Sequence, residues 1–387
     1  MAVDFLIVGA GMAGSALAAA LSRVGSVQVL EQGPQPAMEG AAQSAGLIRR
    51  LDGEPCDRAL AQRTHHFLTD IAPEWGIGDI SQAPGAILGM IRDPLWLHDA
   101  RAHLVRHKIP IHPITPDDVP ALRGAPLVHA WHLPDERITH GPDLAKAMLH
   151  QASTQGAVVQ CNAQVHTIQV TAGRVCGVRT SDTLFSAGAV ILAGGAWATP
   201  LAAAAGLSRP LTPLRRVAAI TKPDPRAVPS HPWCWIDDVG LYAKPHEGGW
   251  MVSPCDESPT PTPMGPGSTG IPTDSQWKLL QSKIDRFLPA LSPLQPRAGW
   301  TGLRTFAPDR RPLLGEDGDL PGLWWAAGLG GSGVSSCWGV AEAITAWIQG
   351  ETTPWLDATQ LAPHRTQLRR WPIFPSGDPG AAKLIEA

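Results

Sequence analysis

Tyrosine is almost absent from this sequence. Tyr242 is the only tyrosine among 387 residues, although the chain has 15 tryptophans. Aromatic side chains are therefore not avoided as a class, and the single phenol needs an explanation. Two explanations are open: Tyr242 is an ordinary aromatic residue of a β-strand, or it supplies a hydroxyl group that a substrate requires.

An excess of either charge is also absent. The chain has 31 Lys and Arg against 34 Asp and Glu, a formal net charge of −3, and no long run of like charge occurs. This balance gives no reason to expect a nucleic acid partner. The 44% hydrophobic and 17% charged content is typical of a globular protein. At roughly 100–200 residues per domain, two or three folding units are predicted.

Cysteine spacing of the kind that binds zinc or forms a disulfide scaffold is missing. The six cysteines are scattered and include no C-x-x-C pair, so we expect reduced thiols in a cytoplasmic protein without a metal site. The sequence contains no uninterrupted apolar run of about 18 residues, so no transmembrane helix is indicated. The apolar segment 5–21 follows Asp4 rather than a basic region, which predicts folded structure instead of a signal sequence.

A glycine motif lies between two predicted strands. Residues 4–8 form an apolar strand, Gly9, Gly11 and Gly14 follow with G-x-G-x-x-G spacing, and Glu31 ends the next strand. Gly9 permits a tight turn, Gly11 lets the backbone approach a pyrophosphate, and Gly14 lets the helix pack closely. Glu31 would accept hydrogen bonds from ribose hydroxyls. The motif predicts dinucleotide binding but does not separate FAD from NAD.

Apolar periodicity predicts three further helices, at residues 56–76, 141–155 and 274–291. The last would begin at an N-cap formed by Asp274 or Ser275. Short strands and turns are predicted from about 80 to 135. Proline-rich strands are predicted between residues 211 and 299, interrupted by a flexible loop at 256–273 that is rich in Pro, Gly, Ser and Thr.

Two more glycine groups border predicted elements. Gly194 and Gly195 end an apolar strand, where the backbone could approach a cofactor or simply turn into a helix. The cluster at 328–333 opens a helix whose free N–H groups could stabilise negative charge on a reduced flavin. A close crossing of strand and helix would explain this cluster equally simply.

Arg304 stands among small and apolar residues on a predicted strand. A buried guanidinium without an anionic partner is strongly destabilising, so a partner is expected. It is either an internal Asp or a substrate carboxylate bound through two hydrogen bonds.

Six segments in one order resemble the D-amino acid oxidase / glycine oxidase / sarcosine oxidase superfamily of FAD-dependent oxidoreductases, and most closely its D-arginine dehydrogenase type. They are DFLIVGAGMAGSALAAALSRVGSVQVLEQG, VILAGGAWAT, PLRRVAAI, LYAKP, GLRTFAPDRRPLLG and GLWWAAGLGGSGV. The resemblance implies an α/β fold. A Rossmann-like FAD-binding domain of the glutathione reductase type would accompany an α+β substrate domain on a mixed, largely antiparallel sheet. The implied segments are 1–80, 138–212 and 300–365 for FAD, 81–137 and 213–299 for substrate, and 366–387 as a C-terminal tail.

The same resemblance implies oxidation of the C–N bond of an amino acid or amine to an imine, by hydride transfer to flavin N5. Arg304 matches the carboxylate-binding arginine, Tyr242 a tyrosine that shares the carboxylate, and Arg216 a second arginine near the substrate. Leu47 falls where the D-arginine dehydrogenase type has a substrate-facing His, so an apolar or aromatic substrate is at least as plausible as a cationic one. Gly302 falls near the covalent attachment position of sarcosine oxidases, which implies non-covalent FAD.

The residues that the motifs and the resemblance assign to FAD binding form one set: Gly9, Gly11, Met12, Ala13, Gly14, Glu31, Gln32, Ser44, Ala45, Gly46, Val165, Gly194, Gly195, Trp197, Gly330, Gly331, Ser332, Gly333 and Val334. The electron acceptor, oxygen or a redox partner, is left open. Two rival functions are also open: a flavoenzyme acting on a specialised-metabolite amine or imine without a free carboxylate, and a non-catalytic FAD subunit of a larger complex.

Overall fold

The computed structural model describes residues 2–93 and 96–369. In this part of the chain the strands are β1 (Val3–Val8), β2 (Val27–Leu30), β3 (Leu47–Ile48), β4 (Ser81–Gln82), β5 (Ala86–Met90), β6 (His112–Pro113), β7 (His129–Leu133), β8 (Arg137–Thr139), β9 (Val158–Gln160), β10 (Thr167–Thr171), β11 (Arg174–Arg179), β12 (Leu184–Leu192), β13 (Thr212–Thr221), β14 (Trp233–Ile236), β15 (Leu241–His246), β16 (Gly249–Ser253), β17 (Ser258–Pro259), β18 (Pro296–Phe306), β19 (Leu313–Glu316) and β20 (Leu323–Ala327).

The α-helices of the same part are α1 (Met12–Leu21), α2 (Pro55–His66), α3 (Ala72–Glu74), α4 (Trp96–Arg106), α5 (Gly141–Thr154), α6 (Ala198–Ala203), α7 (Asp274–Phe287) and α8 (Gly333–Ile348). A π-helical turn, Phe67–Ile71, joins α2 to α3 within the helix predicted at 56–76. None of the described helices is long and apolar enough to cross a membrane.

The first sheet has the order β10-β11-β12-β1-β2-β9, and β20 pairs with β12 and β19. Its centre is parallel, because β1 pairs in parallel with both β12 and β2. Val8 at the end of β1 lies opposite Leu192 and Leu30, the last residues of those two strands. The loops that follow all three strands therefore leave from one edge of the sheet, which is where open α/β sheets bind ligands.

The second sheet has the order β17-β13-β16-β15-β14-β5-β7-β6, with β18 on the other side of β13, and is antiparallel except where β14 meets β5. Its two faces have different roles. Ala243 and Val252 pack in one cluster with Leu280 of α7, whereas Tyr242 and Met251 belong to a separate cluster. Because side chains alternate along a strand, Tyr242 faces away from α7.

The fold class that the sequence predicts is confirmed, since α/β and mixed sheets occur as expected. The domain segments stay a prediction. The predicted boundaries at 137/138 and 299/300 fall inside β8 and β18, and β18 pairs along nearly all of β13 in the second sheet. Of the predicted C-terminal tail, Thr366–Arg369 forms a 3₁₀ turn, and the rest lies outside the described residues.

Two local predictions were wrong. The region from 80 to 135 contains α4 as well as strands and turns. The N-cap of α7 is Thr273, not Asp274 or Ser275, because the Thr273 side chain accepts a hydrogen bond from Gln276 N and the Gln276 side chain accepts one from Thr273 N. This reciprocal capping box satisfies two backbone N–H groups at once.

Candidate active site

A cavity of about 530 Å³ opens at the carboxyl edge of the first sheet and extends to the second sheet. It is lined by most of the predicted cofactor residues, namely Gly9, Gly11, Met12, Ala13, Glu31, Gln32, Ser44, Val165, Gly194, Gly195, Trp197, Gly330, Gly331, Gly333 and Val334. Three of the four predicted catalytic residues, Arg216, Tyr242 and Arg304, line the same cavity.

Two predicted cofactor glycines, Gly14 and Gly46, do not line the cavity but are needed for close backbone approach. A Cβ on Gly14 would lie 1.9 Å from the carbonyl oxygen of Gly9, so this glycine lets α1 pack against the turn. Gly46 has φ +69°, and a Cβ there would lie 1.8 Å from Thr139 O. In the structure both glycines allow close packing of the backbone, and their predicted contact with the cofactor stays a prediction.

Ala45, Leu47 and Ser332 are also absent from the cavity wall. The Ala45 carbonyl accepts a hydrogen bond from the buried ammonium of Lys244, and burial lowers the pKa of Lys244 to about 8. Leu47 lies on β3 and packs into the small apolar cluster around Tyr242, so it is a neighbour of the site and not a wall residue. Ser332 is the N-cap residue of α8, and its carbonyl accepts the N–H of Ser336.

The glycine turn after β1 has the geometry of a phosphate cradle. Gly9 adopts φ +105°, and a Cβ there would lie 2.8 Å from Ala193 O. Nothing lies within 4 Å of the position where a Cβ on Gly11 would be, so the backbone there faces open space. Gly11 is the N-cap of α1 and makes no side-chain cap bond. The free N–H groups of the first helical turn can therefore bind an anion.

Glu31 closes the far end of this cradle. Its Oε2 accepts a hydrogen bond of 2.8 Å from Ala10 N, and its Oε1 accepts one of 2.8 Å from Gly33 N. These bonds fix the carboxylate beside the glycine turn. Each carboxylate oxygen retains a further lone pair, so the position fits the predicted contact with ribose hydroxyls.

Arg304 reaches the opposite end of the cavity from β18. Within the described part of the chain it has no carboxylate at ion-pair distance, and its one side-chain hydrogen bond runs from Nη1 to Gly331 O at 3.1 Å. Burial, and next the charge of Arg216, lower the pKa of Arg304 to about 10. The guanidinium is therefore protonated at neutral pH and lacks an anion.

Arg216 differs from Arg304 in having a partner. Its Nη2 donates to Glu257 Oε1 at 2.9 Å, and its Nε donates to Asp256 O at 3.3 Å. Arg310 binds the same Glu257 carboxylate from another side. Arg216 thus brings a partly neutralised positive charge to the cavity.

Tyr242 is 2% exposed and stacks on Trp235, with ring centroids 5.6 Å apart and planes inclined by 12°. Burial raises the pKa of Tyr242 to about 12, and the nearby charges of Arg304 and Arg216 act in the opposite direction. The phenol is therefore neutral at neutral pH and can donate a hydrogen bond. Tyr242 packs on Trp235 as a strand aromatic would, and it also lines the cavity, where its hydroxyl group could meet a substrate. Both explanations of the single tyrosine therefore stay open.

A segment that the sequence predicts to be flexible crosses the cavity, and we name residues 260–270 the strap. On one flank Trp197 Nε1 donates to Pro263 O at 2.8 Å, and Gln164 Nε2 donates to Met264 O at 3.2 Å. On the other flank the Glu39 carboxylate accepts the backbone N–H groups of residues 267 and 268 at 2.6 and 2.9 Å. The strap is therefore held on both flanks, and its residues Thr262, Pro263, Met264 and Ser268 line the cavity.

Sequence reasoning missed the acids of this site. Glu257 belongs to the predicted flexible loop, and Glu39 precedes Ser44 in a segment without periodicity. One signal in the sequence could have indicated Glu257. A buried arginine needs an anionic partner, and this rule applies to Arg216 as much as to Arg304. Its partner Glu257 lies four residues after the end of β16 at Ser253.

The glycine turn, the acid that follows β2 and the second sheet bearing arginines define a dinucleotide-dependent oxidoreductase. Over residues 4–347 the chain matches the family described as FAD dependent oxidoreductase, and it belongs to that family. It is therefore an oxidoreductase that uses FAD, and the cradle at Gly11 and Glu31 fits that cofactor. No cluster of His, Cys, Asp or Glu in the described ranges could hold a metal ion.

The chain is similar to curated proteins of several kinds. It is 25% identical over 379 residues to glycine oxidase of Pseudomonas putida, covering 94% of this chain and 99% of that protein. It is 24% identical over 360 residues to the mitochondrial pyruvate dehydrogenase phosphatase regulatory subunit of Mus musculus, covering 89% of this chain and 41% of that protein. In three curated relatives the match spans only about half of their length.

Among solved structures, the L-proline dehydrogenase from P. horikoshii superposes with a TM-score of 0.83 at 20% identity, covering 96% of this chain and 99% of that chain. At this identity the likeness concerns the fold. It agrees with the arrangement of the two sheets described above.

Proposed function

We propose that this enzyme oxidises the C–N bond of an amino acid or a related amine that has a carboxylate, and that Arg304 binds this carboxylate. The observation behind the proposal is the guanidinium of Arg304, which lines the cavity, is protonated at neutral pH and has no anionic partner among the described residues. A substrate carboxylate would supply the missing anion.

Binding and orientation are the work of the chain's own residues. Arg304 binds the carboxylate, and the neutral phenol of Tyr242 donates a second hydrogen bond. Together they hold the substrate so that the carbon next to nitrogen faces the cofactor. When bound, FAD supplies the acceptor, at its N5, for the hydride that leaves this carbon. The resulting imine is then hydrolysed.

Among the described residues that line the cavity, none is a strong base close to the proposed carboxylate position. Tyr242 and Arg304 are both protonated at neutral pH. The carboxylates among the described lining residues, Glu31 and Glu39, are hydrogen-bonded to backbone N–H groups at the cradle and the strap. We therefore propose that the amine enters neutral and that no side chain removes its proton during hydride transfer.

Anaerobic mixing of the holoenzyme with a panel of D-, L- and N-methyl amino acids, and with the matching decarboxylated amines, tests the proposal. Bleaching of the flavin absorbance identifies substrates. For the best acid, Arg304→Gln should lower kcat/KM by roughly 100-fold or more, because loss of a buried charge pair is worth several kcal/mol. Arg297→Gln is the matched control, since this exposed arginine of the same strand pairs with Glu247.

Three outcomes would contradict the proposal in different ways. Equal rates with decarboxylated amines would favour the rival flavoenzyme that needs no carboxylate. Bleaching by none of the compounds would favour the non-catalytic subunit. An unchanged kcat/KM in Arg304→Gln would remove Arg304 from carboxylate binding while leaving the oxidation itself intact.

A further inference from the structure

Arg216 and Arg304 converge on one point of the cavity wall. In the pairing of β13 with β18, Arg216 lies opposite Gly302 and Arg304 lies opposite Leu214, so both side chains leave the same face of the sheet. A Cβ on Gly331 would lie 2.6 Å from Nη1 of Arg304 and 3.7 Å from Nη1 of Arg216. Any anion bound there meets both guanidinium groups.

The two guanidinium groups offer different edges to such an anion. Arg304 uses only Nη1 in a hydrogen bond, so its Nε and Nη2 have no acceptor among the described residues. This edge can bind a carboxylate through two parallel bonds. The same edge of Arg216 is occupied, because Nε donates to Asp256 O and Nη2 donates to Glu257 Oε1. The wall therefore offers one free carboxylate-binding edge.

Glu257 is held firmly in the position that occupies Arg216. Arg310 donates to both carboxylate oxygens, at 3.1 Å from Nη1 to Oε1 and through Nη2 to Oε2. The preceding residue is fixed as well, since Asp256 Oδ1 accepts Val217 N at 2.7 Å and Oδ2 accepts Gln276 Nε2 at 2.8 Å. The segment thus tethers Glu257 to both β13 and α7.

Glu257 is ionised in this setting. Burial disfavours its charge, but the hydrogen bond from Arg310 and the charges of Arg216 and Arg310 outweigh that effect and lower the pKa of Glu257. Glu257 is not among the lining residues of the cavity. A negative charge that does not line the cavity is therefore bound to Arg216.

We propose that Glu257 makes this site selective for substrates with a single carboxylate. It occupies the edge of Arg216 that could bind a second carboxylate, and its charge opposes a second anion. Monocarboxylic amino acids or their N-alkyl derivatives are then the preferred class, and dicarboxylic ones are disfavoured. The inference rests on the proposed function, and Glu257 is a positioning residue, because it acts through Arg216.

Titration of the holoenzyme with propionate and with malonate, followed by the change in flavin absorbance, tests this selectivity without turnover. Glu257→Gln keeps the shape and an acceptor oxygen but removes the charge. Because Coulomb energy is proportional to ligand charge, the ratio of propionate Kd to malonate Kd should rise about tenfold. Glu247→Gln, which removes an exposed acid bound to Arg297, should leave the ratio unchanged.

A second variant tests the same charge with the opposite sign. Arg310→Gln removes a partly exposed partner, so Glu257 neutralises Arg216 more fully and the ratio should fall about threefold. If Glu257→Gln does not fold, Arg310→Gln alone still tests whether the Glu257 charge sets this ratio. With substrates, Glu257→Gln should lower KM for a dicarboxylic acid more than it lowers KM for a monocarboxylic one, with kcat little changed.

The inference and the proposed function fail in distinguishable ways. If Arg304→Gln abolishes propionate binding but the ratio is unchanged in both Glu257→Gln and Arg310→Gln, the selectivity inference is overturned and the proposed function stands. If propionate binding does not depend on Arg304, the proposed function fails and the inference falls with it.

Discussion

The two ends of the cavity present different kinds of polar groups. At the glycine end, the turn through Gly9 and Gly11 offers backbone N–H groups, and Glu31 is the one charged side chain of this motif. At the arginine end, side chains from separate strands, Arg304, Arg216 and Tyr242, provide the polar surface. From this comparison we expect the cofactor to be bound mainly through chain geometry and the substrate mainly through charge.

The two ends also depend on different structural properties of the chain. A backbone cradle depends on the absence of Cβ atoms at a few positions, which is a local property of the chain. A guanidinium site depends on which anions lie nearby, and these come from distant segments such as the one that contains Glu257. Substitutions at the two ends should therefore fail in different ways.

The largest expected effect is at Gly14. Gly14→Ala would place a Cβ 1.9 Å from Gly9 O, a contact with backbone that cannot move away, so we expect loss of soluble folded protein or a severe drop in Tm. Gly11→Ala meets no protein atom within 4 Å. It should fold with a Tm close to that of the wild-type apoprotein yet bind FAD more weakly, because the new methyl group enters the phosphate cradle.

Purified yield, thermal unfolding and FAD content measured side by side separate these two glycines. Normal folding of Gly14→Ala would contradict the packing role. Normal FAD affinity of Gly11→Ala would show that the cofactor phosphates bind elsewhere.

The glycine end could be predicted from the sequence because its motif spans only six residues, and the spacing of its glycines determines the local turn. Gly9, Gly11 and Glu31 lie where the pattern predicts. The motifs and the resemblance assigned Gly46 and Ser332 to the cofactor, but whether a residue lines a cavity depends on the direction of its side chain and backbone. That direction is set by tertiary packing, as at Gly46 against Thr139.

Next in size is the effect of Tyr242→Phe at the arginine end. The ring should remain stacked on Trp235, so we expect nearly unchanged thermal stability. Propionate affinity of the holoenzyme should fall roughly tenfold to a hundredfold, since a hydrogen bond to a charged group is worth about 1.5–3 kcal/mol. Unchanged affinity with intact stability would instead make Tyr242 an ordinary strand aromatic.

A smaller effect is expected between the two ends, where the strap crosses. Glu39→Gln replaces charged hydrogen bonds to the backbone of residues 267 and 268 by weaker neutral ones. We expect FAD release, followed by the recovery of flavin fluorescence after dilution, to become about tenfold faster. Glu351→Gln, on an exposed residue after α8, is the control. Equal release rates would show that the strap does not retain the cofactor.

The strap and the arginine end show why the rest could not be predicted. The Pro, Gly, Ser and Thr content of 256–273 predicts only an irregular loop, although Ser258–Pro259 forms the short strand β17 within it. Its hydrogen bonds to Glu39, Gln164 and Trp197 join segments more than 60 residues apart. Arg304 was identifiable from its apolar neighbours in the sequence. That Arg216 pairs with an acid and Arg304 does not, among the described residues, depends on long-range contacts of the same kind.

The smallest effect, a change of about twofold, concerns the pH dependence of the arginine end. Arg304 is cationic below its pKa of about 10 and neutral above it, so propionate affinity should be constant at lower pH and halve near pH 10. Propionate has no amine, and Tyr242 titrates only near pH 12, so neither obscures the change. Arg304→Lys should move the midpoint to lower pH, because lysine has a lower ordinary pKa and meets the same burial and the same Arg216 charge. A midpoint that does not move would show that Arg304 is not the group that titrates.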